Sequence, residues 1–184
     1  MARTVVIVEG LSDQRALEAL AERHGRHLDA EGISITPIGG AQAIGGVLEQ
    51  FGPPGSDVKL AGLCDAGEED DFRRALEQAG LGSNLTRAEM ESLGFFVCVA
   101  DLEEELIRAL GAAAVERVVD AQGDLRSFRT LQRQPAWRGR TAEEQLRRFM
   151  GSGGRRKIRY AGLLVNALDL AEVPRPLDRL LAHV

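Results

Sequence analysis

Acidic side chains follow three apolar segments of this 184-residue sequence, at the point where each segment ends. Short apolar runs rich in β-branched residues are typical of strands buried on both faces of a parallel sheet. The segments and the first acidic residues after them are 4–8 with Glu9, 58–64 with Asp65 and 95–100 with Asp101. Carboxylates that are not grouped with a CxxC pair or a His-Cys cluster favour Mg²⁺ or Mn²⁺ over zinc. The repetition predicts a divalent-metal site, whereas one such residue alone would be explained as a helix cap.

These carboxylates can meet only if the sheet is parallel, and the order of the elements predicts that it is. A further strand is predicted at 33–38, and helices are predicted from Gln14 to near Gly25, over 43–51 and over 68–79. A loop over 52–56 and an irregular connector over 81–91 complete this half. Alternating strands and helices imply right-handed crossovers, so all strand carboxyl ends share one edge of the sheet.

The rest of the chain shows helical patterns without another clear strand. Helices are predicted over 106–121, 127–134, 141–150 and 156–168, and the tail 173–184 is expected to form only a short apolar turn. We therefore predict the α/β fold class, with a core over 1–110 and a helical extension over 111–184 packed on it as a single structural domain.

The net charge of −5 conceals a basic segment within an acidic protein. Residues 123–160 hold 11 of the 23 basic side chains and only three acidic ones. Such a segment favours a polyanionic partner, although internal pairing with the acidic half would also explain it. Trp137 could stack on a base or pack in the core. The predicted nucleic-acid contacts are Arg133, Arg138, Arg140, Arg155, Arg156 and Arg159.

Cellular location is constrained by what the sequence lacks. It contains no signal-peptide pattern and no apolar run of about 18 residues. Cys64 and Cys98 lie inside apolar segments and are expected to be small buried side chains. We therefore expect a cytoplasmic protein with no membrane contact.

The sequence from Glu9 to Asp13, EGLSD, follows a β-branched strand, and a later apolar strand ends at Asp65. This combination resembles the Toprim domain of topoisomerases, primases, recombination proteins and OLD-family nucleases. The helical extension with its late lysine, Lys157, is most similar to the OLD branch. The resemblance implies a Toprim or Rossmann-like four-stranded parallel sheet flanked by helices.

The resemblance also implies roles for individual residues. Catalysis is expected from Glu9, Glu103 and Lys157, which is one of only two lysines. Gly67 stands where Toprim proteins usually carry a second aspartate, so either Glu69 or the 101–105 group replaces that ligand, or a second metal is weakly held. The expected metal ligands are Glu9, Asp13, Asp65, Asp101, Glu103 and Glu69.

The function implied is Mg²⁺- or Mn²⁺-dependent hydrolysis of nucleic acid, with DNA favoured over RNA. Residues 151–157 lack the spacing of a P-loop, so we expect a stand-alone Toprim unit with a possible separate ATPase partner. Two alternatives stay open. One is a degenerate Toprim module that binds nucleic acid or a partner without cutting; the other, ranked lower, is a receiver-like signalling domain with Asp65 as its acceptor.

Overall fold

Four parallel strands form the sheet in the computed structural model, which describes residues 3–51 and 57–184. The strand order is β2-β1-β3-β4, so the first strand lies in the interior between the second and the third. The predicted α/β class with a four-stranded parallel sheet is confirmed. The strands are β1 (Thr4–Val8), β2 (Ile33–Pro37), β3 (Lys59–Cys64) and β4 (Phe95–Val97).

The register of the sheet fixes which side chains share an edge. Val8, the last residue of β1, pairs with Leu63, one residue before the end of β3. Cys64 in turn pairs with Val97, the last residue of β4. The residues that follow β1, β3 and β4 are therefore delivered to the same edge of the sheet.

In the first half of the chain, helices connect the successive strands and pack on the sheet. They are α1 (Leu11–Arg23), α2 (Ile44–Phe51), α3 (Glu69–Gln78) and α4 (Arg87–Ser92), with 3₁₀ turns at Ala41–Ala43 and Ala66–Glu68. The loop predicted over 52–56 lies outside the described residues.

The second half of the chain supplies the remaining helices. They are α5 (Leu102–Leu110), α6 (Ala112–Ala121), α7 (Leu125–Arg133), α8 (Ala142–Gly151), α9 (Gly154–Ala167) and α10 (Arg175–His183), with a 3₁₀ turn at Leu170–Glu172. Thr141 begins α8 by accepting a hydrogen bond from the Glu144 N–H, and the Glu144 side chain accepts one from the Thr141 N–H. None of the helices in the described ranges is both long and apolar enough to cross a bilayer.

Two hydrophobic cores lie on opposite faces of the sheet. Val6 and Val8 belong to the core that contains α1, α5 and α9, whereas Val5 and Ile7 belong to the core under α2 and α3. Successive side chains of a strand point to opposite faces, so a strand in the middle of the layers must be apolar throughout. This explains the uninterrupted run from Thr4 to Val8.

The helical extension shares the first of these cores. Helix α9 packs along α1, and α10 packs against β3 and β4. Apolar side chains from both segments are buried together, among them Leu20 of α1 and Leu164 of α9. The division at residue 110 stays a prediction.

Three predicted elements differ from the structure. The connector over 81–91 contains the start of α4, because Thr86 and Glu89 form a capping box and Met90 is buried. The helix predicted over 106–121 is two helices, interrupted at Gly111, whose φ of 76° suits glycine. The tail forms the full helix α10, in which Leu177, Leu180 and Leu181 are buried.

We expect Leu177→Ala to lower the free energy of unfolding by about 2–5 kcal/mol, because Leu177 is fully buried beside the sheet. Leu170→Ala is the matched control, since Leu170 is 38% exposed, and should cost less than about 1 kcal/mol. Urea denaturation followed by circular dichroism measures both. Equal losses in the two variants would contradict the docking of α10 on the sheet.

Candidate functional site

The neighbouring strands β1 and β3 bring Glu9 and Asp65 together. Glu9 directly follows β1 and Asp65 directly follows β3. The backbone N–H of Asp65 donates a hydrogen bond to Oε1 of Glu9 at 2.7 Å. A hydrogen bond therefore connects these two predicted site residues, which are 56 positions apart in the sequence.

Asp13 enters the same edge from the first turn of α1. The Gly10 N–H donates to Asp13 Oδ2 at 2.9 Å, and this bond holds the turn between β1 and the helix. Asp13 is buried, with 9% of its surface exposed. A carboxylate in the first turn of a helix is stabilised by the helix dipole, which offsets part of the cost of burial.

The amino-terminal turn of α5 supplies two more carboxylates. Asp101 caps the helix by accepting the Glu104 N–H at Oδ1, 2.8 Å away. Glu103 is 6% exposed, and its Oε2 lies 3.1 Å from Nζ of Lys157 in α9. The other oxygen, Oε1, is buried without a hydrogen-bond partner. Such an orphaned acceptor is costly and is a place where a cation or a proton would bind.

Burial and mutual repulsion disturb the titration of these groups. Burial, together with the negative charges of Glu9, Asp13 and Asp101, raises the pKa of Asp65 to about 8. Burial likewise raises the pKa of Glu9, against the hydrogen bond from the Asp65 N–H. The carboxylates lie close enough for their charges to act on one another. We call the group the acidic pocket; its members are Glu9, Asp13, Asp65, Asp101, Glu103 and Lys157.

Three further groups of the pocket show shifted titration. Burial raises the pKa of Asp13, and it raises the pKa of Glu103 despite the attraction of Lys157. Burial opposes the charged form of Lys157, but Glu103, Asp13 and Asp65 outweigh it and raise the pKa of the ammonium. Lys157 is therefore a fixed positive charge in the acidic pocket.

The donors of the acidic pocket fit a hard divalent cation by their chemistry. All are carboxylate oxygens, the ligands that Mg²⁺ and Mn²⁺ prefer. Within the described ranges, however, no three His, Cys, Asp or Glu side chains already stand as a completed metal-ligand group. The orphaned Oε1 of Glu103 and the raised pKa of Asp65 show that carboxylates here lack sufficient positive partners. The fit is therefore one of donor type and charge.

Comparison with known proteins identifies one similar family. Residues 1–65 match the family model of the Overcoming lysogenization defect protein-like TOPRIM domain. The predicted resemblance to the OLD-like Toprim domain is confirmed. No curated protein matches the chain.

Solved structures show the same fold over the whole chain. The C-terminal region of the Burkholderia pseudomallei OLD protein is 23% identical, with a TM-score of 0.73, and the match covers 100% of this chain and 96% of that one. A C-terminal region of the Xanthomonas campestris pv. campestris OLD protein is 24% identical, with a TM-score of 0.75, over 100% and 92%. The sheet and the helices of the extension together thus form a fold that is also found in the C-terminal regions of these OLD proteins.

Glu69 stands apart from the other predicted ligands of this Toprim-like site. It forms ion pairs with Arg73 at 2.7 Å and with Arg87, and these arginines lower its pKa. The preceding residue, Glu68, is instead near enough to Glu9 to raise the pKa of that residue. We therefore leave Glu69 out of the proposed ligand set. Glu68 ends the 3₁₀ turn at Ala66–Glu68 and Glu69 begins α3, and sequence reasoning did not identify Glu68.

The arginines that were predicted to contact nucleic acid divide into three groups. Arg156 lies 4.2 Å over the Phe149 ring and donates to Ser152, and Arg159 pairs with Asp124, so both are engaged within the protein. Arg140 forms a long ion pair with Glu144 at 3.4 Å. The remaining three, which are exposed and form no ion pair in the part of the chain described, are Arg133, Arg138 and Arg155.

A groove of about 480 Å³ leads from the acidic pocket along α8. We call it the α8 groove. Trp137 lines it but also packs against the core, with Arg148 5.9 Å over its ring. Sequence reasoning missed Arg147 and Arg148, since only their place beside Asp101 and Trp137 distinguishes them from other arginines. The charged residues that line the α8 groove are Asp101, Glu103, Arg140, Glu144, Arg147, Arg148 and Lys157.

We expect the stability of the metal-free protein to fall as the pH rises from about 4 to about 8. In this window the folded protein keeps a proton on Asp65, whose pKa is raised to about 8, while the unfolded chain has lost it. Asp65→Asn should make the decline shallower and raise the Tm at pH 8, by about 2–4 °C for each kcal/mol recovered.

Thermal unfolding in EDTA across this pH range measures the effect. Asp29→Asn is the control, because Asp29 is exposed on a turn away from the strand ends. An Asp65→Asn protein with the same pH slope as the wild type would contradict the assignment of the raised pKa to Asp65.

Proposed function

We propose that this protein is a Mg²⁺- or Mn²⁺-dependent Toprim-type nuclease that hydrolyses phosphodiester bonds of nucleic acid, with DNA favoured over RNA. One observation carries the proposal: the partly exposed Lys157 pairs with the buried Glu103 among mutually repelling carboxylates, beside a groove lined by arginines. The Toprim match supports the same reaction class.

The metal ligands in this proposal are the carboxylates whose charges interact. Glu9, Asp13 and Asp65 would bind from the β1 and β3 side, and Asp101 and Glu103 from α5. Bound Mg²⁺ would neutralise phosphate charge and lower the pKa of a bound water. The backbone N–H groups of Asp65 and Gly10 keep two of these side chains oriented before any ligand arrives.

Proton transfer falls to the glutamates. Both Glu9 and Glu103 have a raised pKa, which brings a carboxyl group closer to the range where it can accept and return a proton at neutral pH. Oε1 of Glu103 has no hydrogen-bond partner, so it is available to take a proton. Glu9 Oε1 is already engaged by the Asp65 N–H, which leaves its second oxygen for that role.

Lys157 would act on the phosphate. Its raised pKa keeps the ammonium charged, and 38% of the side chain is exposed at the mouth of the acidic pocket. An ammonium is a compact point charge with three donors, suited to one phosphate oxygen. Attraction to Glu103 holds Nζ in place until substrate binds.

The arginines beside the pocket would hold the nucleic-acid backbone. Arg147 and Arg148 line the α8 groove, and Arg133, Arg138 and Arg155 are exposed on the same basic segment. Phosphate contacts of this kind carry no sequence information and weaken steeply with salt. A separate ATPase is a further proposed partner, and a cytoplasmic location is proposed with it.

A degenerate Toprim module that binds nucleic acid without cutting is the second candidate. Gly67 removes one aspartate of the usual pair, and the described residues present no completed ligand group. This candidate predicts binding to DNA with no metal-dependent product.

The test is cleavage of supercoiled plasmid and of labelled oligonucleotides in Mg²⁺ or Mn²⁺. We expect Glu9→Gln and Lys157→Ala each to lower the rate by about 10²–10⁴-fold, because each removes a group proposed to act on the reacting phosphate or its proton. EDTA should abolish cleavage by the wild type.

Two controls match these substitutions. Glu49→Gln changes an exposed glutamate of α2, and Lys59→Ala changes the other lysine, at the amino end of β3 and so at the opposite edge of the sheet. Both should retain wild-type cleavage. Cleavage that persists in Glu9→Gln and Lys157→Ala would refute the assignment, and DNA binding without cleavage by pure wild type would favour the second candidate.

A further inference from the structure

Arg147 forms an ion pair with Asp101, which is one of the metal ligands in the proposed function. Its Nε donates to Oδ2 of Asp101 at 2.7 Å, and its Nη2 contacts the same oxygen. The other oxygen of Asp101 accepts the Glu104 N–H. Both oxygens of Asp101 therefore have donors from the chain, and a guanidinium on Oδ2 repels any divalent cation that approaches it.

The same arginine faces the α8 groove. Half of its side chain is exposed, whereas only 16% of the Asp101 side chain is exposed. Arg148, the next residue, covers the Trp137 ring, and Arg140 is paired with Glu144. Arg147 is thus the arginine of the groove that contacts both the open space and a proposed metal ligand.

Phosphate and the Asp101 carboxylate would compete for the same donors. The planar guanidinium binds phosphate oxygens with two parallel hydrogen bonds, as it binds a carboxylate. A partly exposed ion pair contributes little free energy, so exchanging one anion for another is not costly. A backbone phosphodiester carries one negative charge and two non-bridging oxygens, so it matches a carboxylate as a partner for the guanidinium, and a chain of several phosphates along the groove would favour the exchange.

We propose that Arg147 is a positioning residue that couples nucleic-acid binding to metal binding. Without nucleic acid it holds Asp101 and keeps that oxygen from the metal. When a backbone phosphate enters the α8 groove, the guanidinium binds the phosphate instead of Asp101. Asp101 Oδ2 is then available to the cation. The inference rests on the proposed function and deepens it, because it makes the acidic pocket complete only when a phosphate chain occupies the groove.

Coupling of this kind is reciprocal. If nucleic acid raises the affinity for the metal by some factor, the metal raises the affinity for nucleic acid by the same factor. The effect can therefore be measured by binding alone, without any cleavage.

The experiment measures Mn²⁺ binding to the full chain by electron paramagnetic resonance, with and without a phosphorothioate-linked DNA oligonucleotide that resists hydrolysis. We expect the oligonucleotide to tighten Mn²⁺ binding to the wild type about fivefold or more. Arg147→Gln should bind Mn²⁺ more tightly than the wild type without DNA, and the oligonucleotide should add little further.

Two variants serve as comparison. Arg117→Gln removes the same charge from an exposed site on α6 and should behave as the wild type does. In an Asp101→Asn background, Arg147→Gln should no longer tighten Mn²⁺ binding, which a purely structural role of Arg147 does not predict. Thermal unfolding of each variant checks that it is folded.

Two outcomes would overturn the inference. One is Arg147→Gln binding Mn²⁺ no more tightly than Arg117→Gln in the absence of DNA. The other is a wild type whose Mn²⁺ affinity does not respond to the oligonucleotide, and this result decides even if Arg147→Gln fails to fold. Failure of the proposed nuclease would appear separately, as a wild type that couples Mn²⁺ and DNA but does not cut.

Discussion

Repulsion among buried carboxylates at one edge of a parallel sheet is the constraint that organises this protein. Burial in a low-dielectric environment penalises each negative charge, and each neighbour adds to the penalty. The chain offsets part of it with backbone N–H donors to Glu9 and Asp13 and with the ammonium of Lys157. The compensation is incomplete, since the pKa of Asp65 is raised to about 8 and Glu103 Oε1 has no partner. A cation that bound among these carboxylates would stabilise the folded protein, because it would reduce their repulsion.

The helical extension supplies the positive charges of this site. Helix α9 packs along α1, and this packing carries Lys157 to the strand ends that α1 itself flanks. Helix α8 carries Arg147 to Asp101. The apolar contacts of the extension therefore determine where its cations lie. The hydrophobic core fixes the helices, and the fixed helices place charges that could not be held there by exposed ion pairs alone.

The sequence predicts the strands and the strand-end carboxylates because both follow from local pattern. A β-branched run such as Thr4–Val8 identifies a buried strand, and parallel pairing then requires Glu9 and Asp65 to meet. Helix α10 was underestimated because Pro174 and Pro176 suggested a short turn, although Leu177, Leu180 and Leu181 have helical spacing and proline is tolerated in the first turn of a helix. The choice between Glu68 and Glu69 depends on the charges around each in the fold, and Arg147 depends on how α8 meets α5. No local pattern encodes either of these.

Charge pattern alone left two explanations of the basic segment, and its arginines fall into two sets in the structure. Arg147 and Arg159 pair with carboxylates of the protein, as internal neutralisation predicts. Arg133 and Arg155 are exposed and form no ion pair within the described ranges, as a polyanion surface predicts. In the proposed function, the exposed arginines would hold backbone phosphates, whereas the paired arginines neutralise carboxylates of the protein itself.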